Sequence, residues 1–93
     1  MKTLSAEASP RLFSVEQLAK LLELTSDVDC ECPNHLAGIV SGLVAFEDYA
    51  AACEDSNEAD RELHAHLYRE TARAREIMEV ALRHLVDFEK IEV

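Results

Sequence analysis

A single uninterrupted helical pattern near the C-terminal end most constrains how this chain of 93 residues can fold. Between Glu58 and about Lys90 there is neither proline nor glycine, the residues least compatible with a helix interior. Mostly apolar residues recur three or four positions apart, as on one face of an α-helix. The face predicted to be buried consists of Leu63, Leu67, Thr71, Ala74, Ile77, Met78, Ala81, Leu85 and Phe88. At 1.5 Å per residue this helix would be about 50 Å long, longer than a compact domain of this size.

A first, short helix is predicted from its N-terminal signals. Ser14 and Gln17 have the spacing of a capping box, and Phe13 occupies the position of a hydrophobic staple. The apolar pattern behind them runs to about Thr25. Further along, Asn57 is suited to cap the long helix, because asparagine side chains accept hydrogen bonds from free backbone N–H groups.

A second helix is predicted between these two. Proline is favoured at the first helical position, so Pro33 indicates that the helix starts there with Cys32 as its N-cap. The helix is expected to end near Glu54, ahead of a turn at Ser56. Its apolar face contains Leu36, Ile39, Val40, Leu43, Phe46, Ala50 and Cys53.

The predicted fold is all-α, a three-helix antiparallel bundle with a short helix 1, a longer helix 2 and a very long helix 3. It occupies residues 13–93 as a single domain, after a flexible leader of residues 1–12. With two glycines and two prolines, the chain is poor in the turns that a β-sandwich requires. The other two helices are too short to cover the whole apolar face of helix 3. A helical homodimer, in which a second copy covers the remainder, is therefore predicted. The outer face of helix 3 is expected to carry the ion pairs Arg75–Glu79, Glu79–Arg83 and Arg83–Asp87.

The charge distribution bears on partners and location. Nine basic against 19 acidic residues give a net charge of −10, which repels nucleic acid and anionic lipid. Residues 21–60 contain ten acids and no lysine or arginine, which predicts either a solvated acidic face or a surface for a protein partner. There is no apolar run of the roughly 18 residues that cross a bilayer and no signal-peptide core, so a cytoplasmic location is expected.

One cluster has the composition of a soft-metal site. Cys30, Cys32 and His35 offer two thiolates and an imidazole, which are ligands that zinc prefers. In a hairpin turning near Ser56, His84 would lie close enough to supply a fourth ligand. The alternatives are a cysteine that caps helix 2 beside a solvent-exposed histidine, or a redox-sensitive thiol at a helix N-terminus.

A second cluster is expected near the turn, where the same hairpin would place Glu47 opposite His66 and Glu70. Carboxylates and histidines inside a helical bundle are typical of di-iron enzymes. Those enzymes use a Glu-x-x-His motif, however, and Glu62 precedes His66 by four residues. The favoured interpretation is therefore a polar stretch of the bundle or of a dimer seam.

The order of several local patterns resembles a known family. The chain contains Cys30-Glu31-Cys32-Pro33 followed by His35-Leu36, preceded by Pro10-Arg11 with Phe13. Later come Ala45-Phe46-Glu47 with Tyr49, Cys53-Glu54, and Leu63-His64-Ala65 with Leu67. Over roughly residues 10–90 this order resembles the C-terminal helical segment of certain bacterial MerR-type transcription regulators. The resemblance implies a bacterial, cytoplasmic, regulatory and dimer-forming role. It implies no DNA binding, because only about a dozen residues precede helix 1 where the family's winged-helix module would lie, and it assigns no ligand to the cysteines.

These observations predict a non-catalytic, dimeric helical interaction or regulatory domain that presents an acidic surface to a protein partner. The alternative is a zinc-binding or metal- or redox-sensing module that uses Cys30, Cys32 and His35, with His84. A carboxylate enzyme built around Glu47, His66 and Glu70 is the third hypothesis.

Overall fold

A computed structural model describes residues 10–24, 31–53 and 56–93, and these contain three α-helices and no strand. Helix α1 spans Val15–Leu22, α2 spans Cys32–Ala52 and α3 spans Glu58–Glu89. Helix α2 packs along α3, and α1 packs against α2. The all-α class and the order of a short, a longer and a very long helix are therefore confirmed.

Helix α1 begins where its capping signals predict. The Ser14 hydroxyl accepts a hydrogen bond from the backbone N–H of Gln17 at 3.1 Å, and the Gln17 side chain accepts one from the N–H of Ser14 at 2.9 Å. Phe13 is 2% exposed, as expected of a staple residue. At the other end of α1, the Asn34 amide donates to the carbonyl oxygens of Leu21, Leu22 and Leu24 at 3.0, 3.3 and 2.6 Å. Asn34 thereby fastens the end of α1 to the first turn of α2.

The ends of the two longer helices differ slightly from the prediction. Helix α2 begins at Cys32, so the N-cap is Glu31, which makes no side-chain capping bond, and Pro33 lies in the first turn. In α3, the Asn57 side chain accepts from the N–H of Asp60 at 2.9 Å, as predicted. The helix ends at Glu89, and the left-handed backbone of the C-cap Lys90 (φ 57°) allows helix-terminating hydrogen bonds.

The hydrophobic core lies where all three helices meet. Phe13 and α1 cover α2, and the C-terminal half of α3 closes the core from the side. Its buried members are Phe13, Leu18, Leu21, Ala37, Val40, Val44, Leu82 and Val86.

The antiparallel pairing of α2 and α3 is offset from the predicted one. The predicted hairpin would place Glu47 opposite about residue 65, but the structure pairs Glu47 with Arg75, ten residues or about 15 Å farther along α3. From this pair, α2 continues five residues to Ala52, whereas α3 extends seventeen residues back to Glu58. The first three turns of α3 therefore extend beyond the end of α2.

The side of α3 that packs against α2 also differs from the prediction. Its buried positions are Tyr68, Ala72, Arg75, Glu79, Leu82 and Val86. By contrast, Leu63, Ile77 and Phe88 of the predicted stripe are 52%, 67% and 75% exposed. The prediction that Arg75 and Glu79 lie on the outer face is wrong, although their ion pair exists. Burial of these charges is tolerated because each is matched by hydrogen bonds from the other and from neighbouring groups.

Candidate interaction site

A buried charged cluster, comprising Glu47, Arg75 and Glu79, lies between α2 and α3. The Arg75 guanidinium donates to both carboxylate oxygens of Glu47, at 2.5 Å from Nε and 3.2 Å from Nη2. Its Nη1 donates to Glu79 at 2.7 Å. All three residues are at most 1% exposed. This is the bidentate geometry in which guanidinium–carboxylate pairs are strongest.

Backbone groups of the N-terminal segment, residues 10–13, complete the hydrogen bonds of the cluster. Nη1 of Arg75 donates to the carbonyl oxygen of Pro10 at 3.2 Å, and the N–H of Leu12 donates to Glu79 at 3.1 Å. Residues 10–12 therefore lie against the bundle and are not part of a flexible leader. Residues 1–9, the rest of that predicted leader, lie outside the described residues.

Side chains of the same segment add charge balance. Arg11 lies 3.6 Å from a Glu47 oxygen and 3.1 Å from Asp48, so the two buried carboxylates face two guanidinium groups. Phe13 packs beneath Arg83, whose guanidinium carbon is 5.0 Å from the ring centroid, within the range of a cation–π contact. The N-terminal segment is thus held by charge and by apolar packing together.

The cluster shifts two protonation equilibria. Burial alone would lower the pKa of Arg75, but the hydrogen bonds and charges of Glu47 and Glu79 outweigh it and raise that pKa. Burial, followed by the charge of Glu47, raises the pKa of the Tyr68 phenol above its ordinary value of 10.0. The guanidinium therefore stays charged and the phenol neutral at physiological pH. The three side chains of the cluster are enclosed by protein.

Sequence reasoning missed this cluster, although a signal for it exists. The buried positions of α3 alternate in steps of four and three from Tyr68 to Val86, and Arg75 and Glu79 fall inside that series. A charged pair within an otherwise apolar heptad series indicates a buried ion pair. The stronger apolar series on the opposite side of α3 concealed it.

That opposite side forms an apolar surface, here called the free face. On α2, Ile39 and Phe46 are 50% and 39% exposed, and on α3 the exposed Leu63, Ile77 and Phe88 continue the surface. Half-buried residues of both helices fill the space between them. The complete set is Ile39, Leu43, Phe46, Leu63, Leu67, Ala74, Ile77, Ala81 and Phe88.

The free face lies on the side of the helix pair away from α1. Leu18 and Leu22 of α1 line a groove together with Ser41 and Ala45 of α2. Two residues correspond to a rotation of about 200° around a helix, so Ile39 and Leu43 lie on the other side of α2 from Ser41 and Ala45. On α3, Ala81 is related in the same way to Arg83, which contacts Phe13. Neither α1 nor the N-terminal segment covers this surface.

The free face also differs from the rest of the molecule in charge. None of its apolar positions on α2 has a charged neighbour on the same side, since Glu47 is buried and Asp48 lies in the groove lined by α1. The rings of Phe46 and Tyr49 pack at 6.1 Å beside it. In a chain that is 30% charged, such a surface is typical of protein–protein contact.

The residues predicted to bind zinc are not assembled in the described part of the chain. Cys32 and His35 are exposed at the start of α2, and His35 lies 3.4 Å from Glu31. His84 is two residues from both Leu82 and Val86, which face the core, so it lies on the far side of α3. Cys30 lies outside the described residues, and no group of three potential ligands occurs among those that the structure describes. A site that includes Cys30 stays a prediction.

The second predicted cluster is not brought together either. Glu47 faces Arg75, whereas His66 and Glu70 are exposed on α3, and Glu70 pairs with Arg73 at 3.3 Å. The offset between α2 and α3 is the reason, because it moves Glu47 about 15 Å away from the expected position.

The acidic residues predicted to form one surface are divided. Glu47 is buried, and Asp48 is the exposed acid within α2. Glu31 precedes α2, whereas Glu58 begins α3 about 18 Å beyond the end of α2, so the described acids do not form one continuous surface. Among the described residues, the largest candidate contact surface is therefore the apolar free face.

Comparisons with known proteins add no name. No family model, no curated protein and no solved structure matches the chain. Within the described residues, no helix combines the length and the apolar character needed to span a membrane. The geometry of the free face and of the charged cluster therefore carries the functional argument.

Proposed function

We propose that this chain is a non-catalytic interaction domain that forms a homodimer by burying its free face. The observation that carries the proposal is the contrast between exposed Ile77 and Phe88, at 67% and 75%, and fully buried Arg75 and Glu79 on the same helix. Exposing large apolar groups to water is unfavourable by about 25 cal/mol per Å², so a surface of this kind is stabilised by being covered.

The size of the free face suits a dimer. Two helices side by side are about 20 Å wide, since helix axes lie 8–10 Å apart, and the paired part of α2 is about 30 Å long. A face of these dimensions has a footprint of about 600 Å², close to the roughly 800 Å² that each partner buries in a standard interface. It lies at the upper end of the roughly 300–600 Å² of the largest apolar patch on an ordinary monomer.

Charge is compatible with self-association despite the net charge of −10. Glu31 precedes α2 and Glu58 begins α3, so these exposed acids lie at opposite ends of the helix pair and not across the middle of the free face. Repulsion between such exposed charges is screened within about 8 Å at physiological salt. Salt should therefore strengthen the association.

The closed charged cluster supports the non-catalytic part of the proposal. Its carboxylates are saturated by Arg75, Arg11 and backbone groups, so they have no position from which to donate or accept a substrate proton. We include in the proposal the bacterial, cytoplasmic and regulatory setting that the resemblance to MerR-type regulators implies, and a protein partner for the acidic residues of segment 21–60.

The test is a molar-mass measurement by light scattering on three proteins. The wild type is expected at twice the chain mass of 10.4 kDa, and Ile77→Glu at or near the chain mass, because it places two carboxylates in the apolar interface. Val15→Glu is the matched control, since Val15 is 68% exposed on α1, away from the free face, and this variant should stay dimeric. A wild type at the chain mass, or equal masses for both variants, would contradict the proposal.

A further inference from the structure

The outward side of α3 carries an unbroken heptad series. Its positions alternate in steps of four and three residues along almost the whole helix, which is the spacing of a helix that pairs with another helix. Its six members from Glu70 to Phe88 each lie two residues from a buried core position, so they lie outside the contact with α2, and Leu63 and Leu67 continue the same spacing toward the start of the helix. Its members are Leu63, Leu67, Glu70, Ala74, Ile77, Ala81, His84 and Phe88.

We propose that this series pairs antiparallel with the same series of a second copy, around a two-fold axis between Ala74 and Ile77. This inference rests on the proposed function, because it assigns the occupant of the free face and its orientation. A two-fold interface requires a surface that is complementary to itself. The series meets that requirement, since its alternation of four and three is the same when counted from either end.

The antiparallel alignment pairs large residues with small or complementary ones. Leu63 meets the partner's Phe88 at each end, so the two most exposed ends of the series cover each other. Ala74 meets the partner's Ile77 at the centre. A parallel alignment would instead place Ala74 against the partner's Ala74, which leaves a void where packing should be dense.

The two polar members of the series favour the same orientation. In a parallel pair Glu70 would meet the partner's Glu70, and two carboxylates would share a desolvated position, which is unfavourable. In the antiparallel pair Glu70 meets the partner's Ala81, and Arg73, 3.3 Å from Glu70 in the same chain, continues to neutralise it. His84 likewise meets the partner's Leu67 and not a second histidine.

The offset between α2 and α3 gives an independent reason. The first three turns of α3, which contain Leu63 and half-buried Leu67, extend beyond α2. Antiparallel pairing places these turns against the C-terminal part of the partner's α3, which in the partner is packed against α2. In a parallel pair, the two extensions would contact only each other and would leave Leu63 partly exposed.

Disulfide cross-linking of the full chain distinguishes the orientations. In a background with Cys30, Cys32 and Cys53 changed to serine, the variants are Leu63→Cys, Phe88→Cys and the two together. Within one helix, positions 63 and 88 are about 37 Å apart, far beyond the 4.4–6.8 Å between the Cα atoms of a disulfide. Any disulfide between these positions therefore joins two chains.

Under mild oxidation, the double variant is expected to become a covalent dimer that thiols reduce, while each single variant stays uncross-linked. Adding Ile77→Glu to the double variant should abolish the cross-link. Cross-linking of each single variant would show a parallel pair and overturn the inference while the proposed function stands. A dimeric mass without any cross-link would overturn it in the same way, by showing another contact. A monomeric mass for the serine background would contradict both.

Discussion

The two sides of α3 reverse the usual distribution of residue types. The side that packs against α2 and the N-terminal segment buries Arg75 and Glu79, whereas the opposite side exposes Ile77 and Phe88. The difference shows that a residue's side on this helix follows from which partner group is available and not from its hydrophobicity alone. Charged residues lie inside where three elements supply matching charges and hydrogen bonds. Apolar residues lie outside where none of the three described helices covers them.

The two sides are expected to contribute differently to the molecule. Buried ion pairs add little net stability, since the cost of desolvating the charges offsets their attraction, but they discriminate strongly between alternative pairings. We expect the charged cluster to select the offset in which Glu47 meets Arg75, because any slip would leave a buried charge unmatched. The free face, by contrast, is expected to supply stability by association.

The largest predicted effect comes from removing the guanidinium of the buried charged cluster. Arg75→Met leaves the carboxylates of Glu47 and Glu79 buried without their guanidinium, which should lower the free energy of unfolding by about 3–5 kcal/mol. Urea denaturation monitored by circular dichroism measures this. The matched control is Arg75→Met combined with Glu47→Leu and Glu79→Gln, which removes the charges and keeps an acceptor for the N–H of Leu12. This variant should recover most of the lost stability, and a loss equal to that of Arg75→Met would show that the cluster contributes more than charge matching.

An intermediate effect is predicted for the free face, on how the free energy of unfolding depends on protein concentration. If folding is coupled to dimer formation, the free energy of unfolding depends on protein concentration. A tenfold increase in concentration should then raise it by about 1.4 kcal/mol of dimer, seen as a higher urea midpoint. Val15→Glu should keep this dependence and Ile77→Glu should lose it. A wild-type midpoint that does not move between micromolar and millimolar concentrations would contradict the comparison of the two sides.

The smallest predicted effect concerns pH. The raised pKa of Tyr68 means that the folded protein keeps this phenol protonated at pH values where the unfolded chain ionises it. Stability from the neutral phenol is therefore complete below pH 10 and is lost as the pH rises through the higher pKa of the folded state. Tyr68→Phe should reduce the fall in the urea midpoint above pH 10. An unchanged pH profile in this variant would show that other groups cause the fall.

Local signals predicted the helices well because capping depends on neighbours in sequence. The Ser14–Gln17 capping box and the Asn57 cap both occur as predicted, and each needs only residues three positions away. Among the described residues, His84 does not join Cys32 and His35 in a ligand group, for the opposite reason. Its expected position depended on the alignment of α2 with α3, which was derived from an assumed tight turn near Ser56.

The free face illustrates how much of a functional site can be predicted from the amino-acid sequence. Most of its residues belong to the apolar stripes predicted for the second and third helices, so the surface itself was predictable, as was the need for something to cover it. The error lay in assigning that cover to the chain's own core. Both sides of α3 carry regular heptad spacing, and periodicity alone does not show which side is buried within the chain.

The amino-acid sequence by itself thus determined an all-α chain, its three helices and their main caps, since hydrogen bonding and periodicity over a few residues decide these features. Only the tertiary structure decided that Arg75 and Glu79 are buried while Ile77 and Phe88 are exposed. The physical reason is that burying a charge depends on partners far away in sequence, here Glu47 and the backbone of residues 10 and 12. These partners meet Arg75 and Glu79 only when α2 and the N-terminal segment have packed against α3.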